Sequence, residues 1–316
     1  MQDHSAAWLA DAGWGVFCHF LASQPSAPSA PDLTVDAWNR RVEAVDVDRL
    51  ADQLDEIGAD YFLFTLGQNS GFYCSPNETY DSIVDIEPSK CSRRDLVGDL
   101  AGALADRGIR LVTYLPSGAP ANDPIAIDQL EWADLRDTED RRLAAFQRCW
   151  EAVIREWGDR WGEAVHGWWI DGCYHPDAMY RHPEPPNFES FADSLRAGNS
   201  ERIIAFNPGA ELPVRPVSDH EDYTAGELIH ALELGSWRDG YGPIQETVNG
   251  CQYHVTTFVG EYWGRGSPRF SGSMVAGYTE YVTEHGGAIT WEVPIEPDGT
   301  IPEPHLDVLG QIDQRE

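Results

Sequence analysis

The chain has 316 residues, 42% of them apolar, which is enough to bury the core of one large barrel or of two ordinary domains. Its 22 Lys and Arg residues face 53 Asp and Glu residues, and the resulting net charge of -31 argues against nucleic-acid and membrane-surface partners. No apolar run reaches the roughly 18 residues of a membrane span, and Met1 to Asp11 lacks the basic and apolar blocks of a signal peptide, so a cytoplasmic location is expected.

Strand-like and helix-like segments alternate along the chain. Gly15 to Phe20 is the first predicted strand, followed by a Pro/Ser/Ala loop from Ser23 to Pro31. Asp46 to Ile57 carries Val47, Leu50, Leu54 and Ile57 at helical spacing and stops at Gly58. Tyr61 to Leu66 is the second predicted strand, Ser92 to Arg107 a helix stopped by Gly108, and Ile109 to Leu115 the third strand. A long helix over Thr138 to Trp157 precedes strand four at Gly167 to Ile170, and Phe188 to Leu195 precedes strand five at Ile203 to Asn207. Leu228 to Leu234 and Thr256 to Tyr262 are expected as strands six and seven, Gly272 to Glu284 as the last long helix, and Ala288 to Val293 as strand eight. The pattern predicts an α/β fold, a single (β/α)8-type, TIM-like barrel spanning residues 1–316, whose chemistry lies just past the carboxyl ends of its strands.

Side-chain chemistry narrows the choice. Lys90 is the only lysine, and a surface of carboxylates and arginines is expected of a protein adapted to salt; a genome that favours Arg codons explains the missing lysines but not the acid excess. The six cysteines form no CxxC pair and read as reduced thiols, and the ten histidines show no HExxH or HxH spacing, so neither a metal nor another cofactor is expected. Past the strand ends stand His19, the Gly67–Phe72 turn, Tyr114, Asp171, Asn207 and Glu292. Asp171 stands between the apolar run Gly167-Trp168-Trp169-Ile170 and Gly172. There a partly desolvated carboxylate is either a nucleophile beside aromatic faces that cover a sugar, or the cap of the next turn.

Five ordered segments resemble the catalytic barrel of glycoside hydrolase family 29, the retaining α-L-fucosidases. They are Gly15-Val16-Phe17-Cys18-His19-Phe20, Val47 to Phe72, Arg94-Asp95-Leu96-Val97-Gly98 through Tyr114, Trp168 to Gly172, and Gly286-Gly287 with Pro297-Asp298-Gly299-Thr300-Ile301-Pro302. The resemblance implies a carbohydrate substrate, Asp171 as nucleophile and His19 as a sugar-binding histidine. A retaining glycosidase also needs a second carboxyl group as acid and base. The loop Asp222-Tyr223-Thr224-Ala225-Gly226-Glu227 is similar to the family's segment for it, making Glu227 the first candidate and Glu221 and Glu246 the next. Gln68, Asn69, Tyr114, Trp169, Trp291 and Glu292 are the remaining expected substrate contacts, with His175, His254 and Trp263 as candidates lacking a motif; Trp150, Trp157 and Trp161 have helical spacing and read as core.

The chain departs from the family in two places. Gln68-Asn69-Ser70 stand where the family has His-His-Asp, and Thr290-Trp291-Glu292-Val293-Pro294 replace its Leu-Leu-Asn-Val-Gly segment, so a related sugar is as open as fucose. With the chain ending at Glu316, the β-sandwich that many members carry is not expected. Two other readings remain open: a catalytically silent carbohydrate-binding barrel, and a metal-dependent hydrolase or isomerase using His19, Asp171 and His254. The oligomeric state is not readable.

Overall fold

The computed structural model describes residues 6–22, 33–136, 138–235 and 243–312. The loop expected at Ser23 to Pro31 lies outside them. Nine strands are present among the described residues: β1 (Trp14–Cys18), β2 (Tyr61–Thr65), β3 (Arg110–Pro116), β4 (Gly167–Asp171), β5 (Ile203–Phe206), β6 (Thr247–Val248), β7 (Cys251–Gln252), β8 (His254–Phe258) and β9 (Ala288–Val293). Seven of them form one parallel sheet in the order β5-β4-β3-β2-β1-β9-β8, while β6 and β7 pair as a small antiparallel hairpin.

Side-chain caps set where several of the helices packed on this sheet start. The side chains of Asp46, Asp95 and Ser271 accept from Arg49, Gly98 and Met274 N–H at the first turns of Val47–Glu56, Leu96–Ala105 and Gly272–Glu284, and Asn187 and Ser190 form a capping box on Phe188–Leu195. Gly58 and Gly108 take left-handed backbone angles, φ 75° and 74°, as expected of residues that turn the chain from helix to strand. The helix Ala144–Trp161 starts and ends a few residues later than its sequence pattern suggests. Beyond its end the fully buried Arg202 donates to the carbonyls of Gly158, Gly162, Val165, Leu195 and Ala197. One guanidinium thereby satisfies carbonyls that two helix ends would leave orphaned. Short helices at Ala7–Ala12, Val35–Glu43, Glu78–Val84, Pro124–Gln129, Pro176–Met179 and Glu303–Leu309 are additional to the predicted ones.

The fold corrects the sequence reading at strand six. Leu228 to Leu234 forms no strand, and a closed ladder of eight strands is not present among the described residues. The segment 222–228 spans the two sheet edges instead. Tyr223 bridges Gln252 and Glu227 bridges Thr256, both parallel, on the β8 side. Toward β5 the Asp222 N–H donates to the Ile204 carbonyl, while the Ile204 and Phe206 N–H groups bond to the side-chain carboxylates of Asp222 and Glu221. Two acidic side chains thus serve as acceptors where a neighbouring strand would offer carbonyls, and contact with both edges means that the sheet is curled.

The curl divides the apolar core in two. Phe17, Tyr61, Leu63, Val112, Tyr114, Trp169, Ala205, Tyr223, Phe258 and Trp263 pack inside the curl. Val16, Phe62, Leu115, Trp168, Ile170, Phe206, Val255 and Trp291 pack outward against the helices, together with Trp150, Trp157 and Trp161. Successive strand residues alternate between the two, so Trp168 and Trp169 are neighbours in sequence and strangers in space. No described helix is long and apolar enough to cross a membrane.

Candidate active site

The parallel register lines up the strand ends. Phe17 pairs with Glu292, Thr65 with Tyr114, and Pro116 with Asp171. A pocket of about 80 Å³ opens at this rim, lined by Phe17, His19, Gln68, Tyr114, Trp169, Asp171, Tyr174, Glu227 and Trp263.

Its polar centre is one connected network. Asp171 Oδ2 accepts from the Tyr114 hydroxyl at 2.5 Å, and that hydroxyl accepts from Gln68 Nε2 at 2.5 Å. Asn207 Nδ2 donates to Asp171 Oδ1 at 2.9 Å and to Glu227 Oε2 at 2.8 Å. Asn207 Oδ1 accepts from Gly209 N–H at 3.0 Å, which fixes which end of the amide faces the carboxylates. A single nitrogen within bonding reach of both oxygens keeps them less than about 6 Å apart. Burial pushes the Glu227 carboxyl above the usual range, and the nearby Asp171 charge adds to this, while the Asn207 bond and His19 pull it back. Burial first, and then Asp171, push the Tyr114 and Tyr174 phenols up, so both stay protonated donors.

The walls are aromatic. Tyr114 and Trp169 stack with centroids 5.5 Å apart at 17°, and Trp169 Nε1 is held by the Ala225 carbonyl at 3.1 Å. The Phe17 ring lies 4.2 Å from His19 and 6.3 Å from Trp263. His19 Nδ1 contacts Glu292 Oε1 at 2.9 Å, behind the pocket wall.

Asp171, Glu227, His19, Gln68, Tyr114, Trp169 and Trp263 therefore converge, while other expected residues do not. Trp291 is fully buried on the outer face of β9 and donates to Thr279 Oγ1 of the helix Gly272–Glu284, because the alternation that turns Glu292 inward turns Trp291 outward. Asn69 does not line the pocket; its carbonyl accepts from Asn122 N–H. Glu292 lies behind His19 rather than on the wall. Both Glu221 oxygens accept backbone N–H groups, from Phe206 and Val217, and Glu246 is exposed. His175 is exposed at the start of the helix Pro176–Met179. His254 opens β8 at its amino end, far from the rim, with Nδ1 against the Thr224 carbonyl and Nε2 against Thr290 Oγ1; His19, Asp171 and His254 do not converge. No described group of three or more His, Cys, Asp or Glu side chains is arranged to hold a metal ion. Tyr174 and Phe17 were not expected. Tyr174 follows Asp171 by three residues on the loop after β4, and Phe17 shares its inward phase with His19.

No family model matches the chain, and no curated protein matches it. Solved structures do. The endo-fucoidan hydrolase MfFcnA4 from glycoside hydrolase family 107 superposes on 98% of this chain with a TM-score of 0.72 and 17% identity. The family 107 endo-fucoidan hydrolase P5AFcnA covers 99% with a TM-score of 0.69 and 16% identity, and the alpha-L-fucosidase AlfC from Lactobacillus casei covers 98% with 0.67 and 14%. The chain has the fold of these glycoside hydrolases. It spans 53% of the MfFcnA4 chain, 93% of P5AFcnA and 97% of AlfC. At these identities the likeness concerns the fold and not the side chains of the pocket.

Proposed function

We propose that the protein is a retaining, exo-acting glycoside hydrolase related to family 29, cleaving an α-L-fucoside or a closely related sugar, with Asp171 as nucleophile and Glu227 as acid and base. The observation that carries this reading is the Asn207 amide, which donates to both carboxyl groups and so keeps the two bonded oxygens less than about 6 Å apart, a spacing that favours the close carboxyl pair of a double displacement over the wider pair of an inverting enzyme. The raised Glu227 carboxyl suits the proton donor, and Asp171, gripped by Tyr114 and Asn207, suits the nucleophile.

In the first step Asp171 attacks the anomeric carbon and forms an ester, while Glu227 gives its proton to the departing glycosidic oxygen. In the second, Glu227 takes a proton from water, the water oxygen attacks the same carbon, and Asp171 is released; two inversions retain the configuration. Trp169, Tyr114, Phe17 and Trp263 offer apolar faces to a sugar ring, and Gln68, fixed by Tyr114, offers a donor or acceptor to a hydroxyl. The chain's residues supply every step without a cofactor.

A panel of nitrophenyl glycosides led by the α-L-fucoside, α-L-galactoside and α-L-rhamnoside tests the reading. Wild-type protein is expected to release nitrophenol from at least one of them, Asp171→Asn to release none, and Glu227→Gln to lose about 10²-fold to 10⁴-fold, least where the leaving group needs little protonation. Sugar binding without turnover of any glycoside would instead identify a silent binding barrel.

A further inference from the structure

Glu292 is a costly residue to keep where it is. Its side chain is fully buried, and its Oε2 has no hydrogen-bond partner among the described residues. A buried carboxylate with an orphaned oxygen lowers stability relative to an apolar residue of similar size, so packing alone does not account for it. All its polar contacts fall on Oε1, which accepts from Gly264 N–H at 2.6 Å and meets His19 Nδ1 at 2.9 Å. The backbone N–H of Gly264 can only donate, so Oε1 acts as an acceptor there, and an ionised carboxylate accepting from both sides pairs with a His19 ring protonated at Nδ1. With Nδ1 engaged behind the wall, the ring's other nitrogen is the one that belongs to the pocket His19 lines. Phe17 at 4.2 Å, with Tyr114 and Trp263 packed edge-on, holds the ring in that pose.

We propose that Glu292 is a positioning residue that fixes His19 in the Nδ1–H tautomer, so that Nε2 accepts a hydrogen bond from one hydroxyl of the bound sugar and makes that hydroxyl a condition of tight binding. The inference rests on the reading of this pocket as a sugar site. The logic is that of a buried carboxylate that orients an imidazole without itself exchanging the proton. A purely structural alternative is that Glu292 only ties down the loop carrying Trp263, through Gly264.

Two measurements separate these. Nitrogen-15 spectra of histidine-labelled wild-type protein should show His19 protonated at Nδ1 and bare at Nε2, and Glu292→Gln should mix the tautomers; a wild-type His19 protonated only at Nε2 overturns the proposal even if the variant fails to fold. Calorimetry with L-fucose and its 2-, 3- and 4-deoxy analogues, done in the Asp171→Asn background where turnover is stopped, reads the hydroxyl. One analogue should bind at least about tenfold more weakly than L-fucose, and adding Glu292→Gln should shrink that penalty below about threefold by weakening L-fucose itself. An unchanged penalty in the double variant overturns the proposal and favours the structural role. Changed discrimination in a protein that hydrolyses no glycoside would instead remove only the hydrolase reading.

Discussion

Asn207 spends both hydrogens of one amide on two different carboxylates, and this arrangement has a measurable sign. Its bond to Glu227 favours the ionised carboxyl and partly offsets the effect of burial. Replacing it, as in Asn207→Ala, should raise the Glu227 pKa further, so Glu227 stays protonated to higher pH. The alkaline limb of kcat/KM against pH should move upward while the maximum falls; a limb that stays put or moves down would mean that Glu227 is not the titrating acid. Asp171, Tyr114 and Trp169 were legible in the sequence because a carboxylate after an apolar run and before glycine marks a strand end, and alternation then fixes its neighbours. Trp291 and Glu292 were not separable. Every residue of Ala288–Val293 is buried, on one face by the inner core and on the other by helices, so no change of polarity reveals which residues face inward.

At the scale of elements, strands β1 to β5 and β9 fall where the apolar runs predict them, and the helices Phe188–Leu195 and Gly272–Glu284 match residue for residue. Strand six failed because the chain between β5 and β8 uses Glu221 and Asp222 side chains as acceptors and turns at Gly226, φ 61°, which no hydrophobic pattern encodes. His254 ties this segment to β9 through the Thr224 carbonyl and Thr290 Oγ1. Burial pushes its ring down to about 4, against 6.5 ordinarily. Well above pH 6.5 the ring is neutral in folded and unfolded chains alike; as the pH falls through 6.5 toward 4 the unfolded chain takes the proton first, so the fold loses roughly 2 to 3 kcal/mol from this residue. His254→Gln, less stable at pH 7, should therefore lose less stability between pH 7 and pH 4 in urea titrations. A variant with the wild-type slope would show that His254 is not the group responsible.

Over the whole molecule, charge outweighs sequence detail. The net charge of -31 opposes compaction, and the salt adaptation read from it predicts that the melting temperature climbs between low and molar KCl as carboxylates are screened. A flat or falling melting curve would contradict that reading. The one lysine is not part of the acidic surface's balance. Lys90 Nζ lies 2.5 Å from the buried Asp123 and 5.4 Å from the Phe72 ring centroid, joining the turn that carries Gln68 to the helix Pro124–Gln129. The barrel-like α/β architecture was legible because it is written in alternating periodicities spread along the chain, whereas the pocket depends on contacts such as Asn207 with Glu227 that no local pattern carries.

The central claim is that Asp171 becomes covalently attached to the sugar. It is tested most directly by trapping the protein with a 2-deoxy-2-fluoro glycoside of whichever sugar it hydrolyses and mapping the adduct by peptide mass spectrometry. The account predicts one added sugar, on the peptide containing Asp171 and absent in Asp171→Asn. Hydrolysis without any adduct under saturating inhibitor, or an adduct on another carboxylate, would contradict it.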